Sequence, residues 1–294
     1  MKKWFRYLLG TLLCTFLWGM TVCAEGADKG VIALGADLSA EQKATVLSMM
    51  GVSEEELSGY TVITITNQDE HKYLDSYVDP SVIGTRALSS VMVTPAEEGH
   101  GVVVTTQNID YCTTGMYRNA LLTAGVENAD IMVVGPTQIS GTAGLIGAIK
   151  AYEQVSGKPV SDEVLDTAMN ELITTGELVT KSASDEEVEA LIAYIKAKLA
   201  AGELESEDDI RKAIHEGEEK FGVVLEDSEE QQIVDFMLKI KKLGLDPNML
   251  LDQAADLYDK FGDELLNKAT EENFFSGLGE VMDSIVGFFK GLFQ

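Results

Sequence analysis

The sequence predicts an α/β fold, a mixed sheet with flanking helices, followed by an all-helical C-terminal region. Three observations carry that prediction. Short apolar strand candidates alternate with capped helical stretches up to about residue 158, no convincing strand follows Ser161, and serine-capped helices then recur at nearly even spacing. The composition agrees. With 45% hydrophobic and 24% charged residues, a chain of 294 has globular proportions and apolar material for one large or two modest cores.

Val31 to Leu34 is the first strand, and Ser39-Ala-Glu-Gln42 opens a helix through a capping box that Gly51 closes. Tyr60 to Thr66 alternates apolar residues with threonine and reads as a second strand. Asn67 to Glu70 starts the next helix and Asp79-Pro80 ends it. Ser90 to Thr94 and Gly101 to Thr106 are two further strands. The polar PAEEGHG between them has the length and composition of a hairpin connection, so they are expected to pair antiparallel. Thr113 or Thr114 caps a helix to Ala124, closed by Gly125, and Asp130 to Val134 is a short strand buried on both faces. A glycine-rich loop, Gly135 to Gly144, leads from it into a helix that reaches Glu153.

This divides the chain into a signal peptide (1–24), an α/β domain (30–158), a helical bundle region (159–270) and a C-terminal amphipathic helix (271–294). Ser161, Ser184, Ser206 and Ser228 head four N-cap signatures, the last three each 22 residues apart, and Gly202, Gly222 and Gly244 stop three of the helices. Each helix carries one apolar stripe, as in Val188, Leu191, Ile192, Ile195 and Leu199. Similarity between the helices goes no further than their caps, which favours a compact bundle over a repeat array. Phe274 to Phe293 puts Phe274, Leu278, Met282, Ile285 and Phe289 on one broad face. Its other face lacks the lysines usual on membrane-surface helices, and two readings stand: packing on the protein's own core, or contact with a membrane or partner.

Lys2, Lys3 and Arg6 precede an apolar run that ends in Val22-Cys23-Ala24, the layout of a secretory signal peptide cleaved after Ala24; an uncleaved anchor is the rival reading. Removing residues 1–24 takes away three basic and no acidic residues, so the formal charge of -27 becomes -30. Such a field disfavours nucleic acid and anionic lipid. Of three cysteines only Cys112 lies beyond the leader, so stability must come from packing rather than disulfides.

The candidate site is the Gly135–Gly144 loop. Free backbone N–H groups at the helix start that follows would favour a small anion or carboxylate, lined by Thr137, Ser140, Gly141 and Thr142 with Thr113 and Thr114 from the neighbouring helix start. Ligands of open α/β sheets gather at such carboxyl ends of strands. The loop matches neither the dinucleotide fingerprint nor the phosphate loop with lysine. A purely structural role competes with this one, in which Ser140 caps a helix whose small residues allow close packing.

Cys112 to Arg118 has the cysteine, five residues and arginine of tyrosine-phosphatase-like enzymes. Tyr111 and Asn119 depart from that pattern, and the residue is expected to be a small buried cysteine. No catalytic residue, metal ligand or cofactor is assigned. His71, His100 and His215 lack metal-spaced partners, His71 and His100 are expected to be exposed, and no G-x-S-x-G elbow occurs. Acidic clusters such as Glu54-Glu55-Glu56 and Asp208-Asp209 read as solvated faces.

TTGMYRNALLTAGVENADIMVVGPTQISGTAGLIGAIKAYE, preceded by an N-terminal VIALGADLSAEQK, resembles a family of secreted proteins from Gram-positive Firmicutes, the domain of unknown function numbered one thousand and two. The similarity extends from about Gly30 to about Phe261. The resemblance implies an exported, envelope-associated protein and transfers no activity, ligand or catalytic residue. Together these readings describe a non-enzymatic binding or interaction protein whose partner is an envelope ligand or protein. A secreted hydrolase acting at the same crevice, and a protein associating with membranes through Phe274–Phe293, are the alternatives.

Overall fold

The computed structural model describes residues 29–78, 83–181 and 184–244. The leader, Asp79-Pro80 and the segment Phe274–Phe293 lie outside the described residues. Among the described residues, five strands and eight α-helices follow one another as β1 (Val31–Gly35), α1 (Ala40–Met49), β2 (Thr61–Ile65), α2 (Asn67–Leu74), β3 (Ser90–Pro95), β4 (Val102–Ile109), α3 (Thr114–Thr123), β5 (Ala129–Ile139), α4 (Thr142–Ser156), α5 (Asp162–Lys181), α6 (Asp185–Ala200), α7 (Glu207–Phe221) and α8 (Asp227–Leu243). The mixed sheet with flanking helices, and the helical region after it, are both present.

Local signals set most helix starts. Ser39, Thr113, Ser184 and Ser206 each accept a hydrogen bond from the backbone N–H three residues on, closing a capping box. Two caps differ from expectation. Thr66 rather than Asn67 caps α2, with Asp69 as its partner, and Glu226 rather than Ser228 precedes α8, its N–H donating to Glu229 Oε2 at 2.8 Å. Helix α2 ends at Leu74.

The sheet order is β2-β1-β3-β5-β4. Strand β3 runs antiparallel to both its neighbours, while β1 pairs with β2 and β4 with β5 in parallel. The expected β3–β4 hairpin is therefore corrected: β5 lies between them. Val133 and Val134 are fully buried in β5, whereas Thr105 and Gln107 of β4 are exposed. The strand with the buried valine pair takes the interior position, and the one with exposed polar side chains takes the edge.

Strand β5 is also longer than Asp130–Val134 and takes in Gly135–Ile139, half of the expected loop. Pro136 is tolerated because β5 has by then run past β3, whose pairing stops at Ser90↔Val134. On the other side the β4 ladder jumps from Gln107↔Val134 to Ile109↔Ile139. Asn108, at φ 59°, spans that irregularity and its Nδ2 donates to Gly135 O at 3.1 Å.

One sheet face packs on α2, α3 and α4 through Val31, Ala33, Val91, Ile131 and Val133, and α1 covers part of the other against Ile32, Leu34 and Val134. Helix α5 belongs to two cores. Leu165, Ala168, Met169, Leu172 and Ile173 join the sheet-facing cluster, and Leu178 joins the cluster of α6, α7 and α8. A fully buried pair ties these parts together. Lys196 of α6 donates to Glu171 Oε1 of α5 at 2.8 Å, to Thr123 Oγ1 at 2.7 Å and to Asn119 O at 3.1 Å, both on α3. Burial pushes the Glu171 carboxyl up and the Lys196 ammonium down, against their mutual attraction.

Candidate functional site

Strands β1, β2, β4 and β5 point the same way, so their carboxyl ends share one edge, and α1, α2, α3 and α4 begin there. This is the edge at which ligands of open sheets collect. Its two most buried helix starts are those of α3 and α4.

Helix α4 is capped by Gly141 at φ 92° rather than by Ser140. Only glycine suits the position, because a Cβ there would run into the Tyr117 hydroxyl, which donates to Gly141 O at 2.5 Å. Ser140 instead holds the two starts together: its carbonyl accepts the Cys112 N–H at 3.1 Å and its Oγ lies 3.5 Å from Thr142 Oγ1. The Thr142 hydroxyl donates to Glu70 Oε1 at 3.1 Å, the Ala143 N–H bonds the same carboxylate, and Asn67 Nδ2 donates to Glu70 Oε2 at 3.3 Å. Glu70, carried in from α2, is 3% exposed. A carboxylate of the chain itself thus sits on the helix start where the sequence anticipates an anion. Burial lifts the Glu70 carboxyl above its usual range, and Asn67, Thr142, His71 and Ala143 draw it partly back.

The start of α3 repeats the arrangement. Thr113 Oγ1 accepts the Met116 N–H at 3.1 Å and donates to Glu189 Oε1 of α6 at 2.7 Å. Glu189 is 3% exposed and lies over Gly115, where any Cβ would fall inside its carboxylate; Arg118 Nη2 is 3.9 Å away. Along α6, Glu189 therefore faces the N-terminus of α3 while Lys196 reaches Asn119 O and Thr123 further along it, signs that complement the dipole of α3.

The structure brings Thr113, Ser140, Gly141 and Thr142 into one buried or half-buried cluster with Cys112 and Tyr117. It leaves Thr114 exposed at the first turn of α3 and Thr137 exposed on β5. Two residues that sequence reasoning missed, Glu70 and Glu189, occupy the centre.

A family model described as "Protein of unknown function (DUF1002)" matches residues 34–257. The chain belongs to the DUF1002 family. A relative from Bacillus subtilis (strain 168), "Uncharacterized protein YpuA", is 36% identical over 295 residues, covering 99% of this chain and 100% of that protein. No solved structure matches the chain. The family expected from the sequence is the family found.

In this DUF1002 protein the cysteine motif does not form a phosphate cradle. Cys112 is 2% exposed and burial pushes its thiol up to about 12, opposed in part by a hydrogen bond with Tyr117. Arg118 is buried against Glu189 rather than displayed beside that thiol. His71 sits in the last turn of α2, half-buried, 2.6 Å from Asp75 Oδ1 and 3.3 Å from Gly84 O, so its expected exposure is corrected. His100 is exposed as expected and meets Asp130 at 3.0 Å. Among the described residues no group of three or more His, Cys, Asp or Glu is placed to hold a metal ion, and no helix is long and apolar enough to cross a membrane.

Proposed function

We propose that this protein is exported and acts by binding a partner rather than by turning over a substrate. The reading is carried by the two helix starts at the carboxyl edge, whose donors are committed to Glu70 and Glu189 and so to the fold. A reacting anion would have to displace one of them. The buried, strongly raised Cys112 thiol weighs against the hydrolase alternative in the same direction. The leader layout and the charge of -27 favour export and an envelope ligand or protein as partner, and disfavour nucleic acid. Under this reading, Ser140–Thr142 accepts an external small anion or carboxylate only in exchange for Glu70.

Fractionation of the producing cell should place the chain in the medium or envelope with residues 1–24 removed. Thermal-shift screening against cell-wall fragments, phosphates and small carboxylates should then find a stabilising compound that is not consumed. Turnover of an aryl phosphate or ester that disappears in Cys112→Ser would overturn the binding reading in favour of the hydrolase.

A further inference from the structure

The sheet ends in two outer strands, β2 of 5 residues and β4 of 8. Among the described residues β4 pairs with β5 alone, so one side of Val102–Ile109 presents unpaired backbone N–H and C=O groups. Proteins normally guard such a row with charges, proline or a bulge. Strand β4 has neither charge nor proline, and its one irregularity, at Asn108, comes near its end. We propose that this edge pairs with the β4 edge of a second copy of the chain, antiparallel about a two-fold axis at Thr105.

The occupant follows from charge. At -27 the chain repels its own copy, so two copies can approach closely only along a strip free of acids. Strand β4 is such a strip, and it is bounded by exposed acids, Glu97 and Glu98 before it and Asp110 after it. Those ends select the register. Centred on Thr105, an antiparallel pair sets Asp110 of one copy level with His100 of the other and keeps Glu97 and Glu98 clear of it. A shift to Val104 would set Glu98 against Asp110, and a shift to Thr106 would set Asp110 against the apolar Val102.

The same register keeps the faces of the two sheets in line. Val104 and Thr106, opposite one another, lie on the face that α3 packs, Val103 and Gln107 lie on the other, and Thr105 meets its own counterpart. Cross-strand pairs of β-branched residues and threonines of this kind favour sheet contact. A pair of eight-residue strands buries less than the roughly 1,200 Å² of a standard interface, so the dimer is weak, with a dissociation constant of about 10–100 µM.

Sedimentation equilibrium of the full chain from about 1 to 500 µM, at low and high NaCl, tests the pairing. A reversible dimer should appear and should tighten several-fold with salt, because screening removes the repulsion between two acidic chains and leaves backbone pairing intact. Thr105→Glu, on an exposed side chain, should weaken the dimer at least tenfold at an unchanged melting temperature, and Thr64→Glu, equally exposed on β2, should not. Directly opposite residues of an antiparallel pair have Cα atoms about 4.5–5.5 Å apart, within disulfide reach. Under mild oxidation Thr105→Cys should therefore link two copies above the wild-type background, while Gln107→Cys, opposite Val103 rather than its own counterpart, should not; the native Cys112 is buried. A monomer at every concentration, weakening by salt, loss of the dimer in Thr64→Glu but not in Thr105→Glu, or equal linkage through Gln107→Cys would each overturn the proposal.

Discussion

Replacing Glu70 by alanine strips the acceptor from the α4 start while leaving α2 in place. The Thr142 hydroxyl, 3.1 Å from Glu70 Oε1, and the Ala143 N–H are then unmet at a site where Glu70 is 3% and Thr142 6% exposed. A buried donor left without a partner costs about 1–3 kcal/mol, so Glu70→Ala should lose about 3 kcal/mol. For a chain of this size that lowers the melting temperature by roughly 6–12 °C. Glu70→Gln keeps a carbonyl acceptor, and its effect depends on pH in a direction that burial fixes. The folded carboxyl lies above its unfolded value of 4.5, so the wild type loses stability as pH rises through the interval between the two values, while Gln has nothing to titrate. The gap between wild type and Glu70→Gln should therefore narrow from pH 4 to pH 7. Urea denaturation at both pH values reads both effects. Formate in excess should raise the melting temperature of Glu70→Ala, by filling the vacated slot, and leave the wild type unmoved. If Glu70→Ala melts with the wild type, or the Glu70→Gln gap widens with pH, the internal-carboxylate account is refuted.

Gly115→Ala forces a Cβ into the Glu189 carboxylate and should cost about 2–3 kcal/mol in urea denaturation, a loss partly relieved when Glu189→Ala is added. Lys196→Met leaves Glu171 buried without its cation and should cost about 3–5 kcal/mol, whereas Lys196→Met/Glu171→Leu should recover most of it; equal losses in the two variants would count against the pairing. With its thiol buried and pushed up to about 12, Cys112 should resist iodoacetamide at pH 8 in the native chain and alkylate readily in urea, as intact mass will report.

What could be read from the sequence was local. The capping residues Ser39, Thr113, Ser184 and Ser206 act within a single turn, and the apolar stripes of α6, α7 and α8 follow one helical period, so short windows contain the whole signal. Where capping residues crowd, as at Thr66-Asn67 and Glu226-Asp227-Ser228, the start slipped by one or two positions. Strand pairing is not local. PAEEGHG is a fair hairpin loop, yet it joins strands that flank β5, because the buried faces of Val133 and Val134 compete for the interior more strongly than loop length dictates neighbours. Pro136 reads as a strand breaker only while β5 is assumed to have a neighbour on each side, and beyond Val134 that assumption lapses.

The centre of the site was hidden for a different reason, although its signal is present in the sequence. Glu70, Tyr73 and Leu74 fall on one face of α2 at spacings of three and four, and all three are buried. Glu189, Ile192 and Lys196 do the same on α6. A charged residue on an apolar stripe cannot be buried without a partner, since desolvation would cost it several kcal/mol. Its presence there therefore announces an unseen complement on another element: a helix start for each glutamate, and for the lysine a carbonyl, a hydroxyl and Glu171. The two starts that glycine and threonine mark in the sequence, and the two glutamates that interrupt apolar stripes, are halves of the same pairs. Reading only the first half makes each start look vacant and suggests an external anion; reading both assigns the anion to the chain.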